Sequence, residues 1–554
     1  MNTSDESVWP KGSRGWFFLV IILGLFFSYE IGSRQFVSPD EGRYVEIPRE
    51  MVVTGDYVTP RLNGLKYFEK PPFVYWLQAG AIKIAGISED SMRFWPVFFA
   101  IIGCLMLFLV GIKCFSLNAG ILSVGVLATS LIYYAHSHLI ILDLIMSVLM
   151  CGCLWSFFMA FVRENDWQEK HKKKLIISMY VFSALACLTK GLIGAVLPAM
   201  VAGLWIAITR RWRLILEILY IPGILIFLAI FLPWHILVAS RNDDFLYFYF
   251  VVEHFLRYTT QIHNRYQPAW FFLPIIIAGL IPWTGFALVS LKNLFVEKKS
   301  ENIFLLCWII GIFVFFSFSS SKLIPYILPI IPPIALMTGV AFTKQNERDF
   351  NIGIGINFFV LSAVVAAYYL EQHRILDILE SADAQTLVYI VLGIIIMIAL
   401  VQVCATVRVL SRGIVVTLCI FLSGNMLWTI NKLAIYYQDA KKPSTCDVAK
   451  AIRMNKTKDD LVFCYNQYYQ DFPVYLNDTV GVVNFVGELE FGANSEPHRS
   501  KLMTADEFWK LWNTTNKRIF LLLSRSSYRE VFVNRSNIHN ILKFDKNFIA
   551  ITNK

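Results

Sequence analysis

Two acids and an arginine stand together in Ser38-Pro39-Asp40-Glu41-Gly42-Arg43-Tyr44, directly after the first long apolar segment. Charged groups at a membrane boundary are costly to desolvate, so their accumulation there points to a site for an ionic or sugar-bearing substrate. Ser38 and Glu41 have the spacing of a capping box, with Pro39 at the first helical position, which accounts for Glu41 without chemistry. Asp40 and Arg43 share one helix face, and a cap does not explain them. Farther along, Asp143 interrupts the apolar run Leu139-Ile140-Ile141-Leu142. An acid in such surroundings either serves function or stabilises a first helical turn. Lys190-Gly191 lies between two apolar segments, and Ser319-Ser320-Ser321-Lys322 with Tyr326 opens a later one, with Lys322 and Tyr326 expected one helical turn apart. Either lysine could instead snorkel to the interface. Glu253-His254 and Arg257 share a loop with His263 and Arg265. Fixed cations suit a phosphate, carboxylates and aromatics suit a sugar, and apolar helices suit a lipid tail. The set therefore predicts one outward-facing cavity for a polar sugar phosphate attached to a membrane-embedded tail.

The elements that must position these residues are mostly transmembrane. The 554 residues are 56% hydrophobic and 16% charged, with 45 Phe and 15 Trp, a composition too apolar for an ordinary soluble protein. A span needs roughly 20 mostly apolar residues, and about thirteen candidates precede a change in composition near residue 440. The expected fold is mainly α, a polytopic membrane protein of about 13 helices. Basic residues such as Lys172, Arg211, Lys292, Lys344 and Arg412 fall in alternate loops, which predicts a cytoplasmic N-terminus and an outer C-terminal region. The net charge of +10 is largely this topological signal and is not read as nucleic-acid binding. The first apolar stretch lacks a cleavage pattern and is expected to remain as an anchor. No CxxC, phosphate-binding glycine loop or HExxH motif is present, which argues against a nucleotide-driven pump or a zinc protease.

Residues 1–438 are expected to form a transmembrane domain, including an outer loop at 37–91 and another at 239–268, and residues 439–554 a soluble periplasmic α/β domain. Within the first loop, a helix from Pro39 to about Val53 should end at Gly55, a residue suited to a left-handed cap. A hairpin should turn at Asn63-Gly64 and return Tyr67, Glu69 and Lys70 to the membrane surface. An amphipathic helix should follow from Phe73. In the C-terminal region, short strands at 461–465, 480–485 and 518–523 alternate with helices near 444–454 and 504–513. That domain shows no catalytic constellation, and the reading assigns it substrate gating or lipid recognition. Cys446 and Cys464 could pair in an oxidising compartment, whereas the other cysteines act as small hydrophobes.

The run Pro39 to Met51, then Thr54-Gly55-Asp56, then Tyr67-Phe68-Glu69-Lys70-Pro71, resembles the lipid A aminoarabinose transferases of ArnT type, within the GT-C superfamily of polyprenyl-phosphate-sugar-dependent glycosyltransferases. Thr189-Lys190-Gly191 and the run Lys322 to Pro329 also resemble motifs of that family. The resemblance implies an undecaprenyl-phosphate-linked sugar as donor and lipid A as acceptor, at the periplasmic face of a bacterial inner membrane. It implies Asp40 as the principal catalytic or positioning carboxylate and Asp143 as a second essential acid. Arg43, Tyr67, Lys70 and Tyr326 would handle the carrier phosphate, with Lys190 and Lys322 as further substrate contacts. Glu69 would help to hold a divalent metal (Zn, Mg or Mn), with His254 as candidate second ligand and Arg257 as a phosphate contact, and His263 with Arg265 as the competing pair in the same loop. Two ligands are too few to close a structural zinc site, so an open one is implied, and Glu69 pairing with Lys70 or Arg43 is the competing reading. The alternatives are an O-mannosyltransferase-like enzyme with a protein acceptor, transfer of another amino sugar such as galactosamine, and a lipid or sugar transporter. A transporter is disfavoured because no internal repeat is evident and the charges gather at one face. Membrane lipids are expected partners, and the oligomeric state is left open.

Overall fold

The computed structural model describes residues 14–163, 169–256, 266–297, 299–344, 347–441, 443–497, 501–533 and 539–554. The chain divides into two compact units, one of residues 1–31, 93–236 and 249–436, the other of residues 32–92, 237–248 and 437–554. The loop at 37–91 thus groups with the C-terminal α/β region rather than with the apolar helices.

The first unit is helical and apolar, as a multi-pass membrane protein requires, because only closed backbone hydrogen bonding survives in lipid. Among the described residues, eight helices are long and apolar enough to cross a membrane, and up to ten if two bent pairs each count as one span. Those pairs are Leu117–Ala128 with Leu131–Ser137, bent by 67°, and Ala269–Gly279 with Thr284–Val296, bent by 119°. This falls short of the thirteen expected. The shortfall lies in segments that are bent, that are short (Gly15–Phe27 and Ile193–Thr209), or that begin with a charged run, as Glu169–Lys190 does.

Helix Leu142–Phe157 is buried along its length except at Asp143. It packs against Glu169–Lys190 and Ile193–Thr209. Trp155 and Trp308 meet at 4.5 Å and Phe157 stacks on Phe304 at 5.5 Å. The indole of Trp308 donates to the Pro329 carbonyl at 2.9 Å, so the aromatic layer has a polar tie. At the end of Glu169–Lys190 the chain turns through Gly191, whose φ of 91° favours glycine.

In the second unit, helix Asp40–Thr54 closes on Gly55 in the left-handed conformation, its N–H bonded to the Met51 carbonyl. Strands β1 (Arg61–Leu62) and β2 (Leu65–Lys66) pair antiparallel across Asn63 and Gly64, both at positive φ, as a type I′ hairpin turn demands. Helix Phe73–Ala85 follows. The Asp40–Thr54 helix is buried from Glu41 to Met51 although it is polar, so its charges must be answered locally. Arg49 makes a two-pronged bond to Glu46 at 2.5 and 2.6 Å, and Glu50 accepts the Gly64 N–H at 2.9 Å. Asn63 bonds the Val480 backbone in both directions at 2.8 Å, which seats the hairpin on the α/β region.

That region carries β3 (Leu461–Tyr465), β4 (Gly481–Val483), β5 (Leu502–Met503), β6 (Ile519–Ser524), β7 (Asn540–Phe544) and β8 (Phe548–Thr552) in the order β5-β4-β3-β6-β8-β7. The first four strands in that order pair in parallel, and the β6–β8 and β8–β7 pairs are antiparallel. Helix Ala505–Thr514 starts at a capping box between Thr504 and Glu507 and buries Phe508, Trp509 and Trp512 against the sheet. Cys446 and Cys464 are both buried free thiols.

Candidate active site

In the second unit, chemistry gathers at the first turn of the Asp40–Thr54 helix. Arg43 Nη1 lies 3.7 Å from Asp40 Oδ1, while its Nε lies 2.7 Å from Glu488 Oε2. The Asp40 side chain is 59% exposed and those of Arg43 and Glu488 about a tenth, so the outer acid is open to a ligand and the inner pair is fixed. Glu488 also accepts from the Gln470 amide at 2.5 Å. Burial works against the Arg43 charge, but Tyr67, Glu488, Tyr44 and Glu69 outweigh it and hold the guanidinium well above its ordinary range. Burial raises the Glu488 carboxyl above its usual range although Arg43 pulls the other way.

The hairpin brings Tyr67 into this cluster. Its ring is buried, and among the described residues its hydroxyl has no hydrogen-bond partner; the same holds for Tyr75. Burial pushes both phenols far above their ordinary pKa, so they stay neutral donors. A buried hydroxyl without a partner costs roughly 1–3 kcal/mol, an expense that a bound oxygen would remove. Lys70 is buried and donates to the Glu69 carbonyl at 2.6 Å. The cluster can hold an anion by Arg43 and neutral hydroxyls while Asp40 faces a polar group.

In the first unit, Asp143 sits in the first turn of Leu142–Phe157 and Lys190 is the last residue of Glu169–Lys190. They form a hydrogen-bonded ion pair. Each charge lies at the helix end whose dipole favours it. Lys190 Nζ also lies 4.6 Å from the Tyr326 ring centroid. Tyr326 thus meets Lys190 instead of Lys322, because the segment after Leu323 is a 3-10 turn, not the α-helix that would align positions 322 and 326. Lys322 is buried and donates to the carbonyls of Ser319 at 2.7 Å and Gln267 at 2.8 Å.

The expected capping box at Ser38 is not formed. The helix begins at Asp40 behind Pro39 without a side-chain cap, and the Ser38 hydroxyl donates to Asp471 instead. The side chain of His254 and all of Arg257, His263 and Arg265 lie outside the described residues. Among the described residues no three His, Cys, Asp or Glu side chains gather as a metal site. Glu488, Gln470, Asp471 and Tyr75 were not singled out in the sequence. The first three lie in a domain without a recognisable motif, and only the aromatic run Phe73 to Leu77 hints at Tyr75.

A helical apolar unit with its Asp143–Lys190 pair and a second unit with its Arg43 cluster and small α/β sheet fit the class of GT-C type membrane glycosyltransferases, and the comparisons agree. Residues 13–249 match the dolichyl-phosphate-mannose-protein mannosyltransferase family, and residues 448–553 match the aminoarabinose transferase C-terminal domain. The chain is 32% identical to undecaprenyl phosphate-alpha-4-amino-4-deoxy-L-arabinose arabinosyl transferase 1 of Proteus mirabilis (strain HI4320), over 66% of this chain and 67% of the relative. It is 30% identical to the corresponding transferase of Edwardsiella ictaluri (strain 93-146), over 65% and 66%. The chain spans about two thirds of the length of these curated relatives. Against the crystal structure of ArnT from Cupriavidus metallidurans bound to undecaprenyl phosphate, the TM-score is 0.85 at 26% identity, covering 98% of this chain and 99% of that one. The chain belongs to the family of undecaprenyl phosphate-aminoarabinose arabinosyl transferases, the ArnT type of polyprenyl-phosphate-sugar-dependent glycosyltransferase.

Proposed function

We propose that this chain moves 4-amino-4-deoxy-L-arabinose from undecaprenyl phosphate to a phosphate of lipid A, at the periplasmic face of a bacterial inner membrane. The observation that carries the reading is the full-length likeness to a relative crystallised with undecaprenyl phosphate. In this reaction an oxygen of the acceptor phosphate bonds to the sugar's anomeric carbon. The bond from that carbon to the carrier phosphate breaks, and undecaprenyl phosphate leaves with the electron pair. Negative charge grows on the leaving phosphate, so Arg43, Lys70 and the Tyr67 hydroxyl are its stabilisers. The acceptor phosphate is already ionised near neutral pH and needs little help from a base. Asp40 therefore orients the sugar and balances positive charge at its ring. Asp143, Lys190, Lys322 and Tyr326 serve as further substrate contacts, with Asp143 the second essential acid and Tyr326 on the carrier phosphate. Glu69 and His254 would be the protein ligands of a divalent metal, which would supply positive charge to the leaving phosphate, and Arg257 would contact that phosphate.

The test is transfer by purified full-length chain in nanodiscs, supplied with undecaprenyl-phosphate-linked sugar and either lipid A or a peptide. A pentosamine increment on lipid A by mass spectrometry is the expected result. A hexosamine increment redirects the sugar, and a glycosylated peptide moves the chain to the mannosyltransferase-like reading that the match over residues 13–249 keeps in view.

A further inference from the structure

The C-terminal α/β region of this chain grips the first turn of the Asp40–Thr54 helix at three points, all within the second unit. The Ser38 hydroxyl donates to Asp471 Oδ1, and the Asp471 N–H points back to Ser38 Oγ at 3.2 Å. Gly42 lies flat on the backbone of the same segment. A Cβ there would stand 2.3 Å from the Asp471 nitrogen and 2.5 Å from the Gln470 carbonyl carbon, so only glycine fits. Gln470 fixes Glu488, and Glu488 holds Arg43. Asp471 itself is fully buried and anchored from behind. Its Oδ2 accepts the Thr445 N–H at 2.7 Å, the Thr445 hydroxyl at 2.8 Å and the Ser444 hydroxyl at 3.2 Å. Two consecutive residues, 470 and 471, therefore govern both ends of the turn that presents Asp40 and Arg43.

We propose that Asp471 is a positioning residue for the transfer reaction, holding Ser38 so that Asp40 and Arg43 keep one fixed presentation. The C-terminal domain is then the mount of the catalytic turn. The proposal rests on the reading of Asp40 and Arg43 as substrate-handling groups. A helix whose start lacks its own side-chain cap frays readily, and here the missing cap is replaced by a contact from a distant part of the chain. A displacement of about 1 Å in such a group costs on the order of 100-fold in rate.

Two variants that each remove one hydroxyl from Asp471 separate positioning from stability. Ser38→Ala cuts the link to the turn, whereas Thr445→Val cuts a bond on the far side of the same carboxylate. In full-length protein in nanodiscs, Ser38→Ala is expected to lower kcat about 10- to 100-fold per folded molecule, with the donor KM changed less. Thr445→Val is expected to stay within about threefold of wild type, and Ser38→Thr, which keeps the hydroxyl, to restore most of the loss. Hydrogen exchange of the amides at 40–45 should rise in Ser38→Ala and Asp471→Asn and stay unchanged in Thr445→Val. Equal kcat in Ser38→Ala and wild type, or equal losses in the Ser38 and Thr445 variants, overturns the proposal, as does unchanged exchange at 40–45. If Asp471→Asn does not fold, the Ser38 and Thr445 pair still decides. If wild type transfers no sugar, the functional reading fails, while the exchange measurement still judges the mount.

Discussion

The two ion-paired clusters are built on opposite plans. Asp143 and Lys190 are 47 positions apart, and each needs nothing beyond its own helix end to be placed, an acid in a first turn and a base in a last one. Arg43 is held between Asp40 in its own helix and Glu488 in the C-terminal region, near Tyr67 and Tyr75, whose hydroxyls have no hydrogen-bond partner among the described residues. The first plan makes a pair that is electrically complete in the resting protein. The second leaves hydroxyls waiting and one acid exposed, which is the condition of a site awaiting a polar ligand. On the proposed function, the Arg43 cluster is the one whose loss should cost most, whereas the Asp143–Lys190 pair is already satisfied at rest.

The strongest attack on that contrast is on Arg43 itself. Arg43→Ala should reduce kcat/KM by about 100- to 1,000-fold, the scale of losing one preorganised charge donor. Arg43→Lys should recover little, since a lysine cannot reach Glu488 and a ligand with separate nitrogens. Lys190→Met should cost roughly tenfold at equal levels of folded protein. Transfer assays with radiolabelled donor check all three, and an equal loss at Lys190 would erase the distinction between the clusters. Next in size is Glu488→Leu, which strands a buried guanidinium beside one exposed acid. It should lower stability by about 3–5 kcal/mol in thermal unfolding, whereas Arg43→Met with Glu488→Leu should unfold near wild type yet stay inactive. That double variant separates what the pair does for the fold from what it does for the reaction.

Much of this was readable in the chain, and the boundary falls at sequence distance. The helix over 40–54, its glycine stop, the Asn63-Gly64 turn and the strands at 461–465 and 519–524 follow from local rules of period, cap and turn. The Asp40–Arg43 face was legible for the same reason, since three residues apart on a helix fixes proximity. Ser38 shows where local rules stop. Its spacing to Glu41 fits a capping box, but a buried carboxylate 433 positions away competes for the hydroxyl and wins. Glu488 carried no signal at all, being one acid among many in a domain whose strands are conspicuous and whose site contribution is a single side chain. α-Helical spacing pairs Lys322 with Tyr326, but the tighter turn after Leu323 gives the ring to Lys190. The hairpin offers a smaller test of the same boundary. Asn63→Ala removes both bonds to Val480 and should cost about 1–3 kcal/mol, measured by thermal unfolding. Because the hairpin leads into Tyr67 and Lys70, donor KM should rise with it. An unaltered KM would mean that these residues are placed by the helix packing alone.

The gentlest probe is pH. Glu50 is pushed up to about 8 by burial first and by neighbouring Glu46 second, against the opposing pull of the Gly64 N–H and Arg49. Its ordinary value is 4.5, so between about 4.5 and about 8 the folded protein holds a proton that the unfolded chain has released. Stability from this group is therefore complete below about 4.5, declines as pH rises through that window and is gone above about 8. The slope cannot exceed about 1.4 kcal/mol per pH unit for one proton. Unfolding of the full chain monitored from pH 6 to pH 9 should show the fall, and Glu50→Gln, whose amide oxygen can still accept the Gly64 N–H, should flatten it. The Asp40–Arg43–Glu488 cluster shares the helix but not this proton, so the same Glu50→Gln protein should keep its transfer rate near pH 7. A rate that falls with the flattening would tie the buried acid to the catalytic turn, and the two ends of this helix would no longer be separable.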